Sequence, residues 1–357
     1  MNKVRILLLC SAICVLLCGC NFWLEDSYVS VKPYHVQNAN KENEVISADS
    51  YMGIREALEA IVEDCVQSAV IAVPKLDEKT VDYYMVAATN YVKNSSAIGA
   101  YAVDQISYEI GTNAGERAIS VNITYNFNRI EILRLGRVAD TDAVVKEVEA
   151  ALQQYDSDVT LYVYNYSDAD FVQIVQDYVD KNPHLCMELP QVAAAVYPET
   201  GKERVVVLSF TYRNSREVLR SMQSNVQEVF SQVKAEGETV HDKYASLYAF
   251  LMDKHEYTVE TSLTPSYSLL RYGVGDSKAF ATIFAAMCAM EELDCSVVSG
   301  TRNGEAWYWN IIAEGKNVYF VDLLRCKEEG AFRMMEEEQM SGYVWDYSAF
   351  PAPSEES

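Results

Sequence analysis

Apolar and polar positions along this chain switch repeatedly between a helical period and a period of two, and the switches mark out its elements. Helical spacing predicts helices over 53–63 and 78–92, with strands over 68–73, 99–110 and 117–125. The same succession then returns, with helices over 142–153 and 169–180 and strands over 158–164, 191–197 and 204–212. The two stretches, 48–140 and 141–236, read as one small α/β module stated twice. Their ends match at one constant offset: Glu116-Arg117 with Glu203-Arg204, Thr124-Tyr125 with Thr211-Tyr212, Arg129 with Arg216. Both hairpins are expected to turn at glycine-containing stretches, 111–115 and 199–202. The run 204–212 is mostly apolar on both sides, which predicts a strand covered by helices on one face and packed on a second surface. The repeated Thr-Tyr and Arg read as a shared way of closing a strand and starting a helix, or as a binding feature.

A further helix is expected over 217–233, and Tyr244, Leu247, Tyr248 and Leu251 show helical spacing in the next one. Then Gly273-Val274-Gly275-Asp276-Ser277-Lys278-Ala279-Phe280-Ala281 reads as a glycine-containing loop entering an apolar helix. It is followed by Val297-Val298-Ser299-Gly300, by Trp307-Tyr308-Trp309-Asn310-Ile311-Ile312, and by a run from Gly315 to Asp322. In this order residues 237–350 resemble the transglutaminase-like superfamily, which has a papain-like core. The expected fold is α+β: two duplicated small α/β modules followed by a transglutaminase-like (papain-like) domain.

That family places a nucleophilic Cys at the helix start, a His in the next strand and an Asp at the end of the one after. The matching positions here are Ser277, Trp307 and Asp322, so the resemblance implies a triad of which the aspartate alone remains. A thiol at a helix N-terminus gains thiolate character from the helix dipole and a neighbouring imidazole. A serine hydroxyl there needs a positioned base. Indole offers an N–H donor and cannot accept the proton. A register shifted by two residues would set Glu305 opposite the histidine position instead, but Trp307 keeps the spacing to Asp322 free of gaps. The four histidines, His35, His184, His241 and His255, all precede Ser277. Structurally, Asp276 or Ser277 is an ordinary N-cap. Trp307, Trp309 and Ile311 share one strand face as core or as lining of a filled cleft, with an exposed aromatic patch as the alternative. Asp322 is a hydrogen-bonding strand end.

The chain opens with Lys3 and Arg5 before an apolar run from Ile6 to Leu17, too short to span a bilayer and shaped like a signal-peptide core. Leu17-Cys18-Gly19-Cys20 resembles the bacterial lipobox, which implies removal of residues 1–19 and lipidation of Cys20. Dual acylation would hold the protein stably at the extracytoplasmic face of a cell membrane. An ordinary secretory signal or a short anchor is the other reading. Residues 20–47 read as a tether with one short strand at 28–31, and 351–357 as an acidic tail.

Loss of Lys3 and Arg5 with the leader would take the net charge from −23 to −25, which argues against nucleic acid and anionic lipid surfaces as partners. The cysteines beyond Cys20, namely Cys65, Cys186, Cys288, Cys295 and Cys326, have neither metal-type spacing nor the look of a disulfide framework. No phosphate loop, nucleotide fingerprint or metal cluster is legible, so neither cofactor nor metal is expected.

Three functions fit these observations. The chain is expected to be a lipid-anchored surface protein with a catalytically inactive transglutaminase-like domain, a pseudoenzyme serving as a binding or assembly module. Its ligand would be a surface protein, a peptide or cell-wall material. The alternative is an active cell-surface hydrolase or acyltransferase using Ser277 with an unrecognised base such as Glu305, Asp276 or Asp322. In the third, the repeated modules do the binding and the C-terminal part is a spacer.

Overall fold

The computed structural model describes residues 45–253, 256–258, 262–315 and 317–346. These lie in one compact unit beginning at Val45 and form a mixed α+β fold. The expected leader, Cys20, the strand at 28–31 and the acidic tail lie outside the described residues.

The first sheet belongs to the succession β1 (Ile46–Ser47), α1 (Tyr51–Glu63), β2 (Ser68–Ala72), α2 (Glu78–Ser95), α3 (Ala97–Ala102), β3 (Val103–Asn113), β4 (Glu116–Tyr125) and α4 (Arg129–Leu133). Its strand order is β1-β2-β4-β3, with β1 parallel to β2 and the other pairs antiparallel. The second comprises β5 (Gly136–Asp140), α5 (Thr141–Gln154), β6 (Asp158–Asn165), α6 (Phe171–Lys181), β7 (Gln191–Tyr197), β8 (Arg204–Thr211) and α7 (Arg216–Phe230). Its order is β5-β6-β8-β7, with the same pairing senses.

Three local expectations change. Residues 99–102, expected as strand, complete the helix α3, because Ser96 caps it at the Gly99 N–H and the β-branched run starts only at Val103. Residues 136–140, expected at the end of the first module, form the parallel edge strand of the second sheet. Ile46 and Ser47, expected in the tether, pair with β2. β1 is too short, and β5 with only Val138 part-buried too exposed, to show an alternation.

The two apolar faces of β8 have separate uses. Val206, Leu208 and Phe210 join the core under α5 and α6, while Val205, with Tyr162 of β6, is buried in the core of the first sheet. The matched residues close strands and open helices: Tyr125 ends β4 and Tyr212 follows β8, while Arg129 and Arg216 are the first residues of α4 and α7.

The remaining elements are α8 (Val240–Met252), β9 (Glu256–Tyr257), α9 (Pro265–Tyr272), β10 (Val274–Gly275), α10 (Ser277–Met290), β11 (Cys295–Arg302), β12 (Glu305–Glu314), β13 (Asn317–Val321), α11 (Leu323–Glu329) and β14 (Tyr343–Trp345). The antiparallel sheet runs β13-β12-β11-β14. Apolar on nearly every side, α10 is buried against it, with Phe280, Ile283, Phe284 and Met287 in a core shared with Trp309 and Ile312. Leu219, Val226 and Phe230 of α7 enter the same core, so α7 and the C-terminal elements are packed together. No helix of the described residues is long and apolar enough to cross a membrane.

Candidate functional site

The N-terminus of α10 is fixed by Asp276, whose carboxylate accepts from the Ala279 N–H at 2.8 Å. Ser277 is therefore the first helical residue and not the cap. Its hydroxyl oxygen instead accepts from the Tyr308 backbone N–H of β12 at 3.3 Å, and the residue is 7 % exposed. This contact ties the helix start to the strand position next to Trp307.

Trp307 in turn reaches the end of β13. Its indole Nε1–H donates to Asp322 Oδ2 at 3.0 Å. The three positions matched in the sequence thus lie in one place, linked through Tyr308, and Trp307 rather than Glu305 stands beside the aspartate. Glu305, at the exposed start of β12, pairs across the hairpin with Arg302. The Trp307 ring is flanked by Tyr257 at 5.3 Å and by the Arg302 guanidinium at 5.2 Å. It fills the space as an inner wall, and the exposed aromatic patch does not form at this residue.

Asp322 is almost wholly buried, at 1 % exposure, and its oxygens are engaged on both sides. One oxygen, Oδ1, accepts the Leu324 and Arg325 N–H groups at 3.0 and 3.1 Å, capping α11. The other accepts the Tyr343 hydroxyl at 2.6 Å besides the indole, and lies 3.5 Å from Arg302 Nη1. Arg302 also holds Glu328 Oε2 at 2.7 Å. Burial beside this carboxylate pushes the Tyr343 phenol far up, so it stays protonated and donating. Arg302 and Tyr343 were not singled out in the sequence. The one signal was their place at the two ends of strands that only the fold pairs, Arg302 of β11 with Tyr343 of β14.

Proton-transfer partners are scarce among the described residues. Indole cannot accept a proton, and Asp322 is closed in by donors. His184 stacks on Phe230 at 5.0 Å, and His241 packs edge-on against Phe332 at 5.5 Å beside Asp242. His35 and His255 lie outside the described residues. Four of the described thiols are held protonated: burial pushes Cys65 and Cys326 up to about 11 and Cys186 up to about 12, with Cys288 raised further still, while Cys295 at the start of β11 is part-exposed. Among the described residues no group of three His, Cys, Asp or Glu side chains is placed to hold a metal ion.

No protein-family model matches the chain, and no curated protein does. Among solved structures it is similar to a TGase at 9% identity and a TM-score of 0.28, over 56% of this chain and 57% of that one. It is also similar to a candidate cysteine protease from Cytophaga hutchinsonii at 14% identity and a TM-score of 0.24, over 43% of this chain and 70% of that one. A candidate protease from Parabacteroides distasonis is similar at 8% identity and a TM-score of 0.22, over 71% of this chain and 39% of that one. At such TM-scores these likenesses assign the chain no activity.

Proposed function

We propose that the chain is a lipid-anchored extracytoplasmic protein whose C-terminal part is a transglutaminase-like pseudoenzyme, used as a binding or assembly module. The carrying observation is the 3.0 Å bond from Trp307 Nε1–H to Asp322 Oδ2. It is the bond an imidazole would make at that position, now made by a ring unable to take the Ser277 proton. Asp322, with Arg302 and Tyr343 around it, serves as a structural clamp. The two modules with equal strand order are read as a duplication that carries this domain away from the anchor. The anchor is Cys20, and the ligand is a surface protein, a peptide or cell-wall material.

Incubation of the purified chain with labelled amine donors and peptide or wall fragments should give no time-dependent product. Product formation that disappears in Ser277→Ala would replace this reading with that of an active hydrolase or acyltransferase. His255→Ala would then test the missing base. The double variant Ser277→Cys with Trp307→His should gain an iodoacetamide-reactive thiol, since Asp322 and the Tyr308 N–H are already in place. For the anchor, Cys20→Ser should abolish incorporation of labelled fatty acid in a bacterial host and release the protein from the membrane fraction.

A further inference from the structure

A cavity lies beside the start of α10, away from the triad positions. About 280 Å³ of space opens where α6 and the segment after it face the beginnings of α9 and α10. Its walls are largely apolar, built by Val179, Met187, Leu189, Leu263, Pro265 and Ala279. Asp276 and Lys278 border it, whereas the Ser277 hydroxyl is turned to β12. The cleft and the triad positions are therefore separate sites.

Its charges are matched from within. Lys278 Nζ lies 2.8 Å from Asp180 Oδ2, which also accepts from Gln176 Nε2 at 2.8 Å. Asp276 is occupied in capping α10. Ser266 differs from these groups. It is 2 % exposed, lines the cleft, and its hydroxyl is directed at the Met187 thioether sulfur 3.9 Å away. Thioether sulfur is a weak acceptor, so this buried donor keeps most of its bonding capacity for a better partner. Apolar walls, one under-used hydroxyl and no unmatched charge fit an aliphatic body with a neutral carbonyl, while a charged ligand would lose its hydration without gaining a counter-ion.

We propose that this cleft binds an uncharged, amide-linked aliphatic group, such as a leucine-like residue within a peptide, with the Ser266 hydroxyl donating to its carbonyl. The peptide context rests on the binding-module reading above; the cleft and its chemistry do not depend on Ser277.

The test uses N-acetyl-leucinamide, titrated into the full chain carrying methyl-labelled methionine, with the Met187 methyl signal as reporter. A ligand of this size should shift that signal saturably, with a dissociation constant on the order of millimolar. Ser266→Ala should weaken binding about threefold or more, the worth of one neutral hydrogen bond. Leu189→Gln, at a rim residue 43 % exposed and so tolerable to the fold, should weaken it to a similar extent. Anionic N-acetyl-leucine and cationic leucinamide should bind less tightly than the neutral probe. The proposal is overturned if the Met187 signal shows no saturable shift, if either charged analogue binds more tightly, or if Leu189→Gln or a normally melting Ser266→Ala binds as the parent does. Turnover of the probe would instead defeat the pseudoenzyme reading, so the two failures are distinguishable.

Discussion

Trp307 and Asp322, fifteen positions apart on β12 and just past β13, are joined by a buried hydrogen bond of 3.0 Å. Its acceptor oxygen is shared with the Tyr343 hydroxyl at 2.6 Å, and Arg302 stands 3.5 Å away. A carboxyl group at 1 % exposure is tolerable only when its polar atoms are met, and here four donors and a guanidinium meet them. The consequence is a joint between β11, β12, α11 and β14.

Trp307→Phe should therefore cost about 1–3 kcal/mol, the penalty for withdrawing one donor from a buried acceptor. Asp322→Ala should cost more, about 3–5 kcal/mol, because it leaves the buried Trp307 and Tyr343 donors without their acceptor and uncaps α11 as well. Urea denaturation of the two single variants and the double would show whether they couple. Additive losses would contradict the bond.

Gly300 is placed where β14 pairs closely alongside β11. A Cβ there would meet the Val344 carbonyl oxygen, and it would lie 2.7 Å from Trp309 Cη2. Gly300→Ala should lower the melting temperature by several degrees, as overpacking of about 1–3 kcal/mol implies. A melting curve equal to the parent's would mean that β14 is not held against β11 in solution.

His184 is half-buried on Phe230, and burial holds its imidazole below the ordinary value of 6.5. A base whose folded pKa is lowered is neutral in the fold but takes up a proton when unfolded. Its contribution is present above about pH 6.5 and is lost as pH falls below that value towards its folded pKa. His184→Phe should flatten the fall in melting temperature between about pH 7 and pH 5. An unchanged slope would reject the assignment.

Cys65, Cys186, Cys288 and Cys326 are buried and held as neutral thiols, while Cys295 is half-exposed. At pH 8 a thiol reagent should label Cys295 first and the other four only as fast as the fold opens. Rapid labelling of Cys186 would mean that the α6–α10 cleft opens widely.

Much of this architecture was legible in the chain. The apolar helix entered through Asp276 and Ser277, the tryptophan-rich strand and the strand leading to Asp322 each show a local period or cap that the fold keeps. The strands β2, β3, β4, β6, β7 and β8 were legible for the same reason, and the equal order of the two sheets, β1-β2-β4-β3 and β5-β6-β8-β7, is a fact of the fold. The edge strands β1 and β5 were not: β1 has two residues, and in β5 only Val138 is even part-buried, so both are held by the partner strand rather than by a pattern of their own.

Residue types alone determined what Trp307 cannot do, since no environment turns an indole N–H into a proton acceptor. They determined equally that Asp276 can cap a helix and that Ser277 lacks a thiol. Which groups meet was decided by tertiary structure. Arg302 and Tyr343 reach Asp322 because strands from distant parts of the chain pair, and Ser266 faces Met187 across 79 positions because α9 is packed against the second module. Contacts of that kind depend on how separate elements are laid together, and local spacing carries no record of it.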